Sequence, residues 1–140
     1  MARIGFSKNG ESPFQQLLGH NPKILKQWDL LVDCFFASPT FPYEFKEELR
    51  RVLAHANGCQ YCMAKAAPSV NSEDERTKRA IAFAKEFAKD HRGISDAHFA
   101  DLREIFNETE IAELCALVSF FSANHHFGAI LALQPSCSIA

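Results

Sequence analysis

An all-α fold is what this sequence predicts, and three observations carry it. Apolar residues recur at spacings of three and four in several separate stretches, the mark of helices that bury one face. Capping and breaking residues bound those stretches: Asn21 and Pro22, Pro39 and Pro42, Asn57 and Gly58, Gly93, Ser95 and Asn107. No stretch sustains the apolar–polar alternation of a half-buried strand.

The first twenty residues carry Gly and Ser with little periodicity and are expected to run over the surface or a neighbouring subunit before order begins. The first helix is expected from Asn21, a good N-cap, with Pro22 in the first helical position. Its stripe is Ile24, Leu25, Trp28, Leu31, Val32 and Phe35, and Pro39 stops it. A second helix follows from about Tyr43 to Ala56, with Phe45, Leu49, Val52, Leu53 and Ala56 on one face. Asn57 and Gly58 tolerate the left-handed conformation that closes a helix, so the chain restarts at Cys59. Pro68 keeps the restarted helix short. The run SEDE from Ser72 reads as a capping box for a helix to about Lys89, with Ala80, Phe83, Ala84, Phe87 and Ala88 inward and Gly93 closing it. Ser95 caps another helix carrying Phe99, Leu102, Ile105 and Phe106. NETE from Asn107 starts the last one, which holds Ile111, Leu114, Cys115, Val118 and Phe121 and passes through His125 and His126.

A chain of 140 residues fits a single domain, residues 1–140, large enough for its own core. The net charge of −2, from 15 basic and 17 acidic side chains spread along the chain, makes no basic stripe, so nucleic acid is not an expected partner. The N-terminus lacks the basic-then-apolar pattern of a secretory signal, and no apolar run approaches the roughly 18 residues of a membrane-spanning helix, so a soluble cytoplasmic protein is expected. Thirteen Phe supply more bulky apolar surface than a small monomer easily hides, which leaves some for a subunit interface.

Cys59 and Cys62 form a CxxC, the one closely spaced pair of reactive side chains. In the first turn of a helix both sulfurs would meet unpaired N–H groups, an arrangement that favours a thiolate. A structural zinc site needs four ligands, whereas Cys34, Cys115 and Cys137 stand alone and the only adjacent histidines are His125 and His126. Two small buried apolar residues that happen to be cysteines would give the same spacing. The odd cysteine count without a small-scaffold framework argues for a reducing compartment, where a CxxC is catalytic or metal-binding.

With these residues in place, the chain resembles the carboxymuconolactone decarboxylase superfamily, and within it the alkylhydroperoxidase D-like branch. The resemblance spans roughly Phe41 to Leu133. Its main motif is a glutamate, eleven residues, a CxxC, and a histidine four positions after the second cysteine. Here Glu47 stands twelve positions before Cys59, and NGCQYC has the usual look; KDHRGISD and the later EIAEL match the family's helix, Ser-Asp loop and following helix. Ala66 occupies the histidine position, and Tyr61 the position where some members carry another histidine.

The resemblance implies an alkylhydroperoxidase D-like helical bundle with the CxxC at a helix N-terminus. It implies a thiol-dependent peroxidase without cofactor or metal. Cys62 would be the deeper sulfur that meets the hydroperoxide, and Cys59 the more exposed one that resolves it and exchanges electrons with a dithiol or thioredoxin-like reductant. Glu47 would hold or relay a proton, with Glu48 as the alternative if the register slips by one. His55, four residues before Cys59, is the first candidate to replace the missing imidazole, because an ordinary histidine pKa suits proton shuttling. Tyr61 could donate a phenolic hydrogen bond to a sulfur, and Lys65 could favour a thiolate. The family's assemblies imply a homotrimer or homohexamer. Two other readings stand beside the peroxidase: lactone decarboxylase chemistry, which in the family generally goes without a CxxC, and a non-catalytic redox sensor that keeps the fold.

Overall fold

The computed structural model describes residues 1–69 and 73–135. Those residues form α1 (Pro13–Leu18), α2 (Pro22–Ala37), α3 (Tyr43–Ala56), α4 (Gln60–Met63), α5 (Glu75–Lys89), a 3₁₀ turn (His91–Gly93), α6 (Asp96–Arg103) and α7 (Glu108–Ile130), with no strand among them. The expected helix order and all-α class hold.

The core lies where α3, α5 and α7 pack together, around Phe45, Leu49, Leu53, Ala80, Phe83 and Leu114. α7 is the central element because its inward positions recur at three and four along its whole length: Ile111, Leu114, Val118, Phe121, His125 and Gly128 are all buried. The first four of these are bulky and apolar. The stripe then turns polar and small, with Ser122 also buried, where it meets α4. Asn107 caps the helix reciprocally with Glu110 as the NETE pattern predicts.

Three boundaries differ from the sequence reading. Residues before Asn21 do not wait for α2 to become ordered: Ser12 caps α1 with Gln15 in a capping box, and Gln16, Leu17 and Leu18 are buried. This segment docks on the end of α7, through Arg3 N–H to Leu131 O at 2.8 Å and the Phe14–Phe127 ring pair at 5.1 Å. The cap of α5 is Asp74, whose side chain accepts from Thr77 N–H, while the expected Ser72 lies outside the described residues. α5 ends at Asp90, and Gly93 closes the 3₁₀ turn instead.

The α2 stripe is only half covered. Trp28, Phe35 and Phe36 lie against aromatic rings of α7, but Leu25 is the one fully buried residue and Ile24, Leu30 and Leu31 are exposed. Lys46 of α3, only 1% exposed, finishes this helix by donating from Nζ to Phe36 O at 3.2 Å and Ser38 O at 2.6 Å. A lysine is tolerated there because its charge meets carbonyls that α2 cannot satisfy itself.

Candidate active site

The turn from α3 to α4 places the first sulfur. Gly58 has φ +67°, the left-handed region, and its N–H reaches His55 O at 3.2 Å while Cys59 N–H reaches Ala54 O at 3.2 Å. This is the Schellman closure of α3, and it delivers Cys59 as the N-cap of α4. Cys59 Sγ accepts the Cys62 N–H at 3.3 Å. α4 is a single turn, so the specific N–H of Cys62, more than any macrodipole, stabilises charge on Cys59.

Both thiols are free and neither is on the surface: Cys59 is 0% exposed and Cys62 6%. The close approach of α7 makes room for them at Gly128, where an added Cβ would lie 2.9 Å from Cys59 Sγ and 3.9 Å from Cys62 Sγ. The hydrogen bond from the Cys62 thiol, helped by its backbone N–H and by Lys65, pulls the Cys59 pKa down to about 7 against the opposing effect of burial. Cys62 is pushed the other way, first by donating to Cys59 and then by burial. Of the two sulfurs, Cys59 is therefore the one that ionises more readily.

The order of exposure expected for the pair is reversed. Cys62, not Cys59, lines the cavity beside the dithiol, because Cys59 is sealed under α7 at Gly128. The cavity measures about 410 Å³ and opens to solvent. Its apolar wall is Trp28, Val32, Phe36, Phe120 and Phe121, and its polar side carries Glu47, Arg50, Lys65, Asn124 and His125. Ser12, Phe14 and Gln15 of the N-terminal segment complete it.

Of the two candidate relay carboxylates, Glu47 is the one at the cavity with Cys62. It is held by Arg50 through Nε at 3.1 Å and Nη2 at 2.9 Å, with Arg51 at 3.8 Å. Glu48 faces a different cleft, where it accepts Ser69 N–H at 2.6 Å. The one-residue difference is about 100° around the helix, enough to send the two carboxylates to different clefts while Arg51 reaches both.

His55 is not brought to the sulfurs. It is exposed, and its Nδ1 lies 3.0 Å from Arg51 O on its own helix. Tyr61 is half-buried with its hydroxyl bonded to Ser12, and burial raises its pKa first of all. The phenol thus ties the N-terminal segment down and does not serve a sulfur. Lys65 Nζ stands 5.3 Å over the Tyr61 ring.

The imidazole at the cavity comes from α7. His125 is 2% exposed, and burial, then the charges of Arg50, His126 and Lys65, lower its pKa to about 3, so it is neutral at ordinary pH. Asn57 Nδ2 points at Ser122 Oγ (3.1 Å) and His125 Nδ1 (3.4 Å), while its Oδ1 faces His126 Nε2 at 3.2 Å. An amide N–H can only donate, so this arrangement leaves the His125 hydrogen on Nε2. A sequence signal for His125 exists: it lies seven residues after Val118 and four after Phe121, on the buried stripe of α7. No three His, Cys, Asp or Glu side chains among the described residues gather as a metal site, and Cys137 lies outside those residues.

No protein-family model matches this sequence, and no curated protein does. Solved structures do match in shape. An uncharacterized peroxidase-related protein from Silicibacter sp. TM1040 superposes with a TM-score of 0.76 at 17% identity, over 88% of this chain and 75% of that one. The debrominase Bmp8 in its apo form superposes with a TM-score of 0.73 at 21% identity, over 87% of this chain and 76% of that one. The likeness establishes the alkylhydroperoxidase D-like fold. No helix among the described residues is long and apolar enough to cross a membrane.

Proposed function

We propose that this chain is a thiol-dependent oxidoreductase that reduces hydroperoxides through a reversible Cys59–Cys62 disulfide. The observation that carries the reading is a free CxxC pair at a cavity: Cys59 Sγ accepts the Cys62 N–H at 3.3 Å, which favours a thiolate there, and Cys62 has the access.

The steps follow from that division. As a hydroperoxide enters, Cys62 passes its proton to the Cys59 thiolate and attacks the terminal oxygen. The O–O bond breaks, Cys62 becomes a sulfenic acid, and the alcohol leaves with the proton returned through Cys59. The Cys59 thiolate then attacks the Cys62 sulfur; the S–O bond breaks and the hydroxide leaves as water with one proton from solvent. A dithiol or thioredoxin-like reductant returns two electrons by attack at Cys62, the sulfur that borders the cavity. His125 offers a neutral N–H to the departing oxygen, taking the place of the histidine absent at Ala66. Glu47 holds the Arg50 guanidinium at the cavity, in place of the proton relay expected of it.

A second reading shares the dithiol: reductive removal of halide from an organic substrate, with hydrogen replacing the halogen, halide released and the same disulfide formed. The aromatic wall and the debrominase neighbour favour it. Assembly as a homotrimer or homohexamer belongs to the proposal, and Ile24 and Leu31 on the outer face of α2 offer apolar surface for it.

Dithiothreitol-dependent consumption of an organic hydroperoxide tests the main reading. We expect turnover with loss of two thiols per peroxide in single-turnover form, and none in Cys62→Ser. Equal consumption by the native protein and the Cys59→Ser/Cys62→Ser variant would sink it, and bromide release from a bromoarene without peroxide turnover would select the second reading.

A further inference from the structure

The geometry points to a substrate with a flat apolar body and an anionic oxygen, an aromatic carboxylate or a close equivalent, whose anion binds Arg50 while its body lies on the aromatic wall beside Cys62. The inference deepens the dithiol reading, resting on it only for the chemistry at Cys62.

Size speaks first. A cavity of about 410 Å³ lies within the range of organic-ligand sites, and hydrogen peroxide would occupy little of it, given the roughly 30 Å³ share of one water molecule. The wall is selective in kind as well as size. Trp28 and Phe120 lie with centroids 5.4 Å apart, and Phe35 stacks behind Phe120 at 5.2 Å. The Trp28 ring is pinned by its Nε1–H to Asn124 Oδ1 at 2.9 Å, and Asn124 is in turn pinned to Phe120 O at 2.8 Å. Rings locked in this way lose little freedom when a flat ligand packs on them.

The polar end is set by an uncommitted donor. Arg50 spends Nε and Nη2 on Glu47, but Nη1 is buried with no acceptor among the described residues. A buried guanidinium N–H without an acceptor is costly, and an oxygen anion supplies the missing bond. The Arg50 charge is felt at both Cys62 and His125, which places it at the reacting end of the cavity. Lys65 adds a second cation, with no carboxylate partner among the described residues. In formal charge the two lining carboxylates, Glu47 on Arg50 and Asp29 accepting the Gln15 amide at 3.0 Å, balance Arg50 and Lys65, so the anion is drawn by the unpaired Nη1–H and not by a net positive field.

Calorimetric titration of the Cys59→Ser/Cys62→Ser variant tests the inference without any redox step, so its failure is distinguishable from failure of the peroxidase reading. The probes are cinnamate, with ring and anion; cinnamyl alcohol, with the ring alone; and acetate, with the anion alone. We expect cinnamate to bind at least about tenfold more tightly than either of the others, and Arg50→Lys in the same background to remove about tenfold of the cinnamate affinity while leaving cinnamyl alcohol unchanged. Equal binding of cinnamate and cinnamyl alcohol, or of cinnamate and acetate, overturns the inference. Full cinnamate affinity in folded Arg50→Lys overturns it too, and if that variant fails to fold, the three-probe comparison on native Arg50 decides.

Discussion

Acidification from about pH 7 to about pH 5 reads the burial of His125 as a free energy. In the unfolded chain this imidazole takes up a proton near its ordinary value of 6.5, whereas in the fold it stays neutral down to about 3. The unfolded state therefore binds more protons throughout that window, and stability falls as pH falls. With those two values the loss works out at about 1.9 kcal/mol, from RT ln[(1 + 10^1.5)/(1 + 10^−0.5)] with RT of about 0.59 kcal/mol. The figure hardly depends on the folded value, since any folded pKa below about 4 leaves His125 neutral at the lower end of the window. Urea denaturation of the native protein and of His125→Gln at both pH values gives the contrast, because every other titrating group cancels in the difference. The native protein is expected to lose about 2 kcal/mol more than the variant on acidification, whatever the variant costs at neutrality. Identical losses in the two proteins would refute the burial of a neutral imidazole at the cavity.

Three further outcomes are expected. The ultraviolet absorbance of the Cys59 thiolate should titrate with a midpoint at about 7 instead of 9; its stabilisation of the fold is full above the unfolded value and lost as pH falls through 7, and Cys62→Ala, which removes the largest cause, should move the midpoint upward, an unmoved midpoint counting against the sulfur–sulfur hydrogen bond. Gly128→Ala gains roughly 1 kcal/mol in helix propensity but drives Cβ to 2.9 Å from Cys59 Sγ, so a net loss of about 1–3 kcal/mol in urea melts is expected together with slower disulfide formation; a stabilised variant with unchanged thiol chemistry would mean the sulfurs sit elsewhere. Sedimentation at micromolar protein should show an oligomer that Ile24→Asp/Leu31→Asp dissociates, and a native monomer would remove the assembly from the proposal.

Much of the fold was legible because its signals are local. Asn21–Pro22, Ser95 and NETE each place a helix start within one or two residues, and Asn57–Gly58 closes α3 as its left-handed tolerance requires. The N-terminal segment was misread because a six-residue helix shows too few turns for periodicity, although Ser12 and Gln15 spell its capping box. At the site, the Glu47–CxxC spacing picked out a carboxylate that lines the same cavity as Cys62. It gave no sign of His125, which lines that cavity too. His55 is near Cys59 in sequence, but it is exposed, lies against Arg51 O of its own helix and does not line the cavity.

What the sequence alone determined about this protein is the run of helices from α2 onward, the dithiol at the start of a short one, and the absence of a histidine at position 66, since caps, breakers and spacing act over a few residues along one chain. Only the tertiary structure decided which sulfur borders the cavity and that His125 lines it beside Cys62, because both depend on α7 crossing α3 and α4 with Gly128 at the point of closest approach. Burial and proton affinity are properties of that crossing, and no stretch of the chain contains them by itself.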